Sequence, residues 1–223
     1  MQAAERTVHW TGEHKLKLLI ASAIVLAVAG GGFFFWYSLN QQDQSASLEL
    51  SQAVRVLDTP LRPAGTPPPA EYPTFASSQE RATQAHKAFQ AIVDKYPHTR
   101  SADHARYFAG VTDADLGDHA GATRELEAVA SSHNDGLSAL AKFALASVYR
   151  GQGQNKQAIE LYNALIAKPT STVGKAAAQL ELAETYVADQ QPLEARKLYQ
   201  QVQKENPSSP AAQIAGEKLQ GLR

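Results

Sequence analysis

From residue 85 onward, apolar and small residues recur at helical spacing. Ala85, Phe89 and Ile92 are followed by Ala122, Leu126 and Val129, then Ala158, Tyr162 and Leu165, then Ala195, Tyr199 and Val202, with the alanines 37, 36 and 37 residues apart. Positions i and i+4 share one helical face. Each copy therefore puts a small residue where two helices cross closely, and a large one a turn further on. A period of this length predicts a stack of helical hairpins. One hairpin cannot bury such a face alone, so neighbours must stack.

The polar and breaking residues between these faces predict helices over about 77–95, 101–116, 119–131, 135–151, 155–167, 173–189, 192–205 and 210–221. The breakers are Tyr96-Pro97, Gly117-Asp118, Asn134-Asp135-Gly136, Gly151-Gln152-Gly153, Pro169, Gln191-Pro192 and Pro207. Ser77 and Glu80 fit a capping box at the first of these helices. The last helix opens on Ser209-Pro210 and keeps Gln213, Glu217, Lys218 and Gln220, as suits a solvent-facing cap. No segment alternates for long with a period of two, so the expectation is all-α, antiparallel hairpins joined by short turns. Upstream, Leu50, Ala53, Val54 and Leu57 give residues 46–57 an amphipathic helical pattern that Pro60 stops. Six prolines then fall between Thr59 and Pro73 and predict an extended, semi-rigid segment. It is either a loop grown inside a first hairpin or a tether. Its Pro60 to Pro63 spacing is that of a loose P-x-x-P, for which an inert spacer is the simpler reading.

Leu18 to Leu39 carries no charge over 22 residues, enough at 1.5 Å per residue to cross a hydrocarbon core of about 30 Å. Arg6, Lys15 and Lys17 precede it, and no Lys or Arg follows until Arg55. The positive-inside rule then puts the N-terminus in the cytoplasm and residues 40–223 outside, with Trp36 and Tyr37 at the outer interface. Ala27-Val28-Ala29 also resembles a signal-peptidase site, although cleavage there would leave GGGFFFWY exposed at the new terminus. Gly30, Gly31 and Gly32 would let a second helix approach closely, so a homo-oligomer is compatible with the anchor. The expected organisation is a short N-terminus at 1–17, an anchor at 18–39, a membrane-proximal helix and proline-rich insertion at 40–76, and a repeat domain at 77–223.

Composition changes this picture little. A net charge of -1 lacks the basic excess of a nucleic-acid binder. The absence of cysteine removes disulfides, thiolate chemistry and a lipoprotein anchor. His86, His98, His104, His119 and His133 cluster in the sequence, but none pair at i, i+4 in a metalloprotease pattern. Asp113-Ala114-Asp115-Leu116-Gly117-Asp118 falls short of a calcium loop, lacking its spacing and closing Glu. With no phosphate loop and no nucleophile elbow, no enzyme, cofactor or metal is expected.

Leu145-Ala146, Tyr149, Ala158, Tyr162 and Leu165 in one unit resemble a tetratricopeptide (TPR) repeat, as do Leu182-Ala183, Tyr186, Ala195, Tyr199, Val202 and Pro207 in the next. Ala85, Phe89, Ile92 and Pro97 match the second half of another. The unit around Ala109-Gly110 and Ala122 is degenerate, with Asp113 where an aromatic is usual. The resemblance implies a right-handed superhelix of helical hairpins preceded by one transmembrane helix. Together with the short N-terminus and anchor, it resembles the YfgM-like family, the ancillary subunit of the SecYEG translocon, whose repeat domain is shared with the CpoB division coordinator. That implies a bacterial inner membrane protein with periplasmic repeats, whose partners are the translocon, periplasmic chaperones of the PpiD type or other envelope proteins. The proline-rich insertion departs from that pattern near the first repeat. The alternative role is a scaffold for envelope or division-complex assembly.

In TPR hairpins the first helix of each unit lines the concave groove through positions 2, 5, 9 and 12. Counted from Asp103, Ala139 and Ala176, the resemblance implies a candidate peptide groove of His104, Tyr107, Val111, Leu140, Phe143, Ser147, Arg150, Leu180 and Glu184. These residues do not form the basic and amide clamp that grips a C-terminal carboxylate. An apolar or extended segment suits them better, while Leu140, Phe143 and Leu180 fit inter-repeat core equally well. The expected repeat-packing residues are Ala85, Phe89, Ala122, Leu126, Ala158, Tyr162, Ala195 and Tyr199.

Overall fold

A computed structural model describes residues 15–67, 69, 73–205 and 207–222. The first fourteen residues of the expected N-terminus, with Arg6, lie outside the described residues, as does Pro68. The described residues form α1 (Lys15–Leu57), α2 (Ser78–Lys95), α3 (Arg100–Leu116), α4 (His119–Ala130), α5 (Asp135–Gly151), α6 (Asn155–Ala167), α7 (Lys175–Ala188), α8 (Pro192–Glu205) and α9 (Pro210–Gly221). They contain no strand beyond an isolated Leu61–Phe75 bridge.

Two compact units divide after Ser45. In the first, the helix exposes Leu19, Ile20, Ile24, Val25, Leu26, Val28 and the run Phe33 to Tyr37. It is the one described helix long and apolar enough to cross a membrane, with a mean hydropathy of 1.6 over its most apolar window. Nothing stands within 4 Å of where a Cβ would be at Gly30, Gly31 or Gly32. The pattern suggested a separate helix beginning near residue 46. Instead α1 runs unbroken to Leu57, because residues 40–45 (NQQDQS) contain neither proline nor glycine to stop it.

The second unit begins with the last turns of α1. Ala46 and Ala53 are buried in a cluster with Ala85, Phe89, Ile92, Val93 and Tyr96 of the following segment, and Leu50, Val54 and Leu57 pack against it. Residues 46–57 and α2 are therefore the first hairpin, and the proline-rich segment is its connecting loop. The base of that loop is pinched. Arg62 N donates to Phe75 O at 2.9 Å, Phe75 N donates to Pro60 O at 3.2 Å, and Arg81 Nη1 donates to Thr59 O at 3.2 Å.

Three further hairpins follow, α3–α4, α5–α6 and α7–α8, with α9 as the last helix. Side-chain caps start most of them. Ser77 Oγ accepts from Glu80 N at 3.1 Å while Glu80 Oε2 reaches back to Ala76 N at 2.7 Å. Thr99, Asp118, Asn134 and Ser209 cap α3, α4, α5 and α9 in the same manner. Gly117, at φ +82°, ends α3 in the left-handed conformation that glycine adopts without a Cβ penalty. The ladder residues close each hairpin: Ala85, Phe89, Ala122, Leu126, Ala158, Tyr162 and Ala195 have no exposed surface, and Tyr199 is 1% exposed.

Candidate protein-binding face

The first helices of successive hairpins touch one another. α3 meets α5, α5 meets α7 and α7 meets α9, whereas no comparable contact joins α2, α4, α6 and α8 among the described residues. Helices that approach each other across the stack share one face of it, its inner face. The inner face therefore belongs to α3, α5, α7 and α9.

The nine candidate groove residues lie on α3, α5 and α7, but their environments differ. Tyr107 and Val111 pack against the buried cluster of Ala122, Leu126, Val129 and Leu145, and burial pushes the Tyr107 phenol up from its ordinary value. Leu140 and Phe143 pack against Ala146, Ala158 and Tyr162, the Phe143 ring standing edge-on to Tyr162 with centroids 5.6 Å apart. Leu180 packs against Ala183, Ala195 and Tyr199. These five are half-buried against the core. Ser147, one turn beyond Phe143, is exposed.

The two charged members are engaged between repeats. Arg150 Nη1 of α5 lies 2.7 Å from Glu181 Oε2 of α7 and also donates to Glu181 O at 3.2 Å. Glu184 Oε1 of α7 accepts from Lys218 Nζ of α9 at 2.7 Å and from Tyr199 Oη at 2.7 Å. Burial alone would raise the Glu184 carboxyl, but the bonds from Lys218 and Tyr199 outweigh it and hold the group below its ordinary value. Arg150 and Glu184 thus tie α5 to α7 and α7 to α9. His104 lies apart, in a recess of about 520 Å³ with Arg100, Asp103, His133 and Asn134, at the α4–α5 turn.

The histidine and acidic motifs resolve into local roles. Among the described residues no three His, Asp or Glu side chains converge as a metal-ligand set. His86 Nδ1 of α2 pairs with Asp113 Oδ1 of α3 at 3.0 Å, and Asp118 Oδ1 caps α4 by accepting from Gly121 N at 2.9 Å. The pattern flagged Asp113 as a missing aromatic and as the start of an acidic run that falls short of a calcium loop. Its partner lies 27 positions earlier, on a neighbouring helix, where no local spacing rule reaches.

The sequence model of the tetratricopeptide repeat-like domain family matches residues 9–168, and that of a tetratricopeptide repeat matches residues 177–209. No curated protein matches the chain closely enough to count as a relative. TPR domains are protein-interaction modules, typically without catalytic activity. The inner helices and the ladder of buried alanines and aromatics have the architecture that this match describes, and the chain belongs to the tetratricopeptide repeat-like domain family.

Proposed function

We propose that this chain is a single-pass, N-in protein of the bacterial inner membrane, whose periplasmic repeats hold partner proteins at the membrane surface. The partners in this reading are the Sec translocon or a periplasmic chaperone that receives emerging chains. The observation that carries the membrane part is the exposed apolar run of α1, in which Phe34 is 73% exposed and Phe33, Phe35 and Trp36 are 62–66% exposed. Such a continuous surface suits an apolar environment. The Lys and Arg asymmetry about residues 18–39 supports the orientation, and the YfgM-like arrangement of anchor and repeats supports the choice of partner.

The mechanism is presentation. Anchoring raises the effective concentration of the inner face for a partner in the same bilayer, which strengthens weak contacts without adding new ones. An extended or apolar partner segment would rest on the half-buried rims of Tyr107, Val111, Leu140, Phe143 and Leu180, beside exposed Ser147.

A photo-crosslinking residue at Ser147, with one at exposed Lys156 on α6 as control, tests this reading in intact membranes. Adducts with translocon or chaperone subunits from Ser147 alone are expected. Adducts only with division or outer-envelope assembly proteins would replace this partner with an assembly role. Equal adducts from both positions would remove the inner face from the account.

A further inference from the structure

Asp113 is 4% exposed, in a fold that otherwise fills such positions with apolar side chains. It stands 36 residues before Tyr149 and 73 before Tyr186, the aromatics of the two regular repeats. Only one of its two oxygens is used. Oδ1 meets His86 Nδ1 at 3.0 Å, while Oδ2 is buried with no hydrogen-bond partner. Oδ2 points toward the first turn of α4. There a Cβ on Gly121 would come within 2.8 Å of it and within 2.5 Å of Asp118 Oδ2. Two carboxyl groups thus crowd the same buried glycine, and a side chain at 121 would have to displace both.

An unpartnered buried carboxylate is costly, and a second carboxylate beside it adds to the cost. Burial raises the Asp113 carboxyl above its ordinary value, Asp118 and Glu125 push the same way, and His86 and Arg124 oppose them. Glu125 is itself 5% exposed, with Arg124 Nη2 at 3.0 Å and Arg106 Nη1 at 3.7 Å. Among the described residues no cation pairs with Oδ2. The least costly remedy is a proton on the Asp113 carboxyl.

We propose that His86, Asp113 and Asp118 form a proton-operated latch between the first and second hairpins, closed when the Asp113 carboxyl holds a proton and loosened when it is ionised. His86 belongs to α2 and Asp113 to α3, so the latch acts on the seam between them. The same seam carries the stacked rings of Phe89 and Phe108, with centroids 5.1 Å apart.

The sign follows from the proton count. Burial and the neighbouring carboxylates make the folded chain hold the Asp113 proton more tightly than the unfolded chain does. Its stabilising contribution is therefore present at lower pH and is lost as the pH rises through the raised Asp113 titration. One proton limits the effect to at most about tenfold in the local opening constant per pH unit.

Hydrogen exchange across α2, read by mass spectrometry on the full chain in detergent micelles between pH 4 and 8, tests the latch. After correction for intrinsic exchange rates, protection of α2 should fall with rising pH while protection of α6 and α7 stays constant. Asp113→Asn supplies both a permanent donor and an acceptor without charge, and should keep α2 protected at every pH. Asp118→Asn retains a good cap but removes the neighbouring charge, and should move the midpoint to lower pH. The latch is overturned if wild-type α2 shows no pH dependence, or if both variants keep the wild-type profile. Should Asp113→Asn fail to fold, an unmoved midpoint in Asp118→Asn overturns it alone.

Discussion

Gly110→Ala probes how closely the second hairpin is closed. Gly110 is buried in α3, where an added Cβ would stand 2.8 Å from Leu126 Cγ, 3.1 Å from Leu126 Cδ2 and 3.2 Å from Glu125 Cβ. Carbon atoms attract best at about 3.5–4.0 Å, so the methyl would fall on the repulsive wall of a branch carbon. Leu126 is fully buried, so it cannot move out toward solvent without disturbing its neighbours. Two effects then compete. Alanine gains about 0.5–1 kcal/mol over glycine in a helix interior, whereas overpacking a filled core costs about 1–3 kcal/mol. The crossing should win, leaving a net loss of roughly 1–2 kcal/mol. Gly151→Ala is the control, since nothing lies within 4 Å of its Cβ position, and it should be neutral or slightly stabilising. Stacked repeats need not melt in one step, so denaturant unfolding should be paired with hydrogen exchange in α3 and α4. The decisive comparison is a double-mutant cycle. Leu126→Ala alone should cost about 2–5 kcal/mol, but in that background the two contacts with the Leu126 branch are gone and only the 3.2 Å approach to Glu125 Cβ remains, so Gly110→Ala should cost less or become stabilising. Equal stabilisation by Gly110→Ala in both backgrounds would show that α3 and α4 do not cross at this pair.

Ala158→Leu forces three more carbons into the cluster of Ala146, Tyr162, Leu165 and Leu182. It should lose on the order of 3 kcal/mol, seen as a lower melting temperature by circular dichroism, and wild-type melting would refute the repeat register. Glu184 is held below its ordinary value near 4.5 by Lys218 and Tyr199 against the effect of burial. Its contribution is therefore complete above that value and lost as the pH falls through the depressed one. Exchange in α9 should accelerate below about pH 4 relative to α6, and Glu184→Gln should abolish that acid dependence.

The ladder was legible because it is local. Ala122 with Leu126 and Ala158 with Tyr162 announce a buried face four residues at a time, and all four have no exposed surface. Elements that depend on what lies opposite were less legible. The composition of residues 59–73 allowed either a tether or a loop, and only the packing of Ala46 and Ala53 against Ala85 and Phe89 makes it a loop. Counting helix positions puts the candidate groove residues on α3, α5 and α7, yet counting cannot tell that Arg150 meets Glu181 or that Glu184 meets Lys218. Those pairs depend on the register between stacked helices.

Asp113 joins the two cases. Its position in the repeat is legible from the 36-residue step to Tyr149, and by pattern alone the substitution reads as decay of the repeat. In the structure its neighbours are shaped to the carboxyl. His86 supplies a ring nitrogen at 3.0 Å, and position 121 is a glycine where any Cβ would strike both Asp113 and Asp118. Random loss of an aromatic would leave a cavity, at a cost that grows with its volume. A polar pair and a glycine seated against it instead fill the space with groups that respond to protons. Where a repeat departs from its pattern and the adjoining residues depart with it, the joint departure is better evidence of a role than either residue alone.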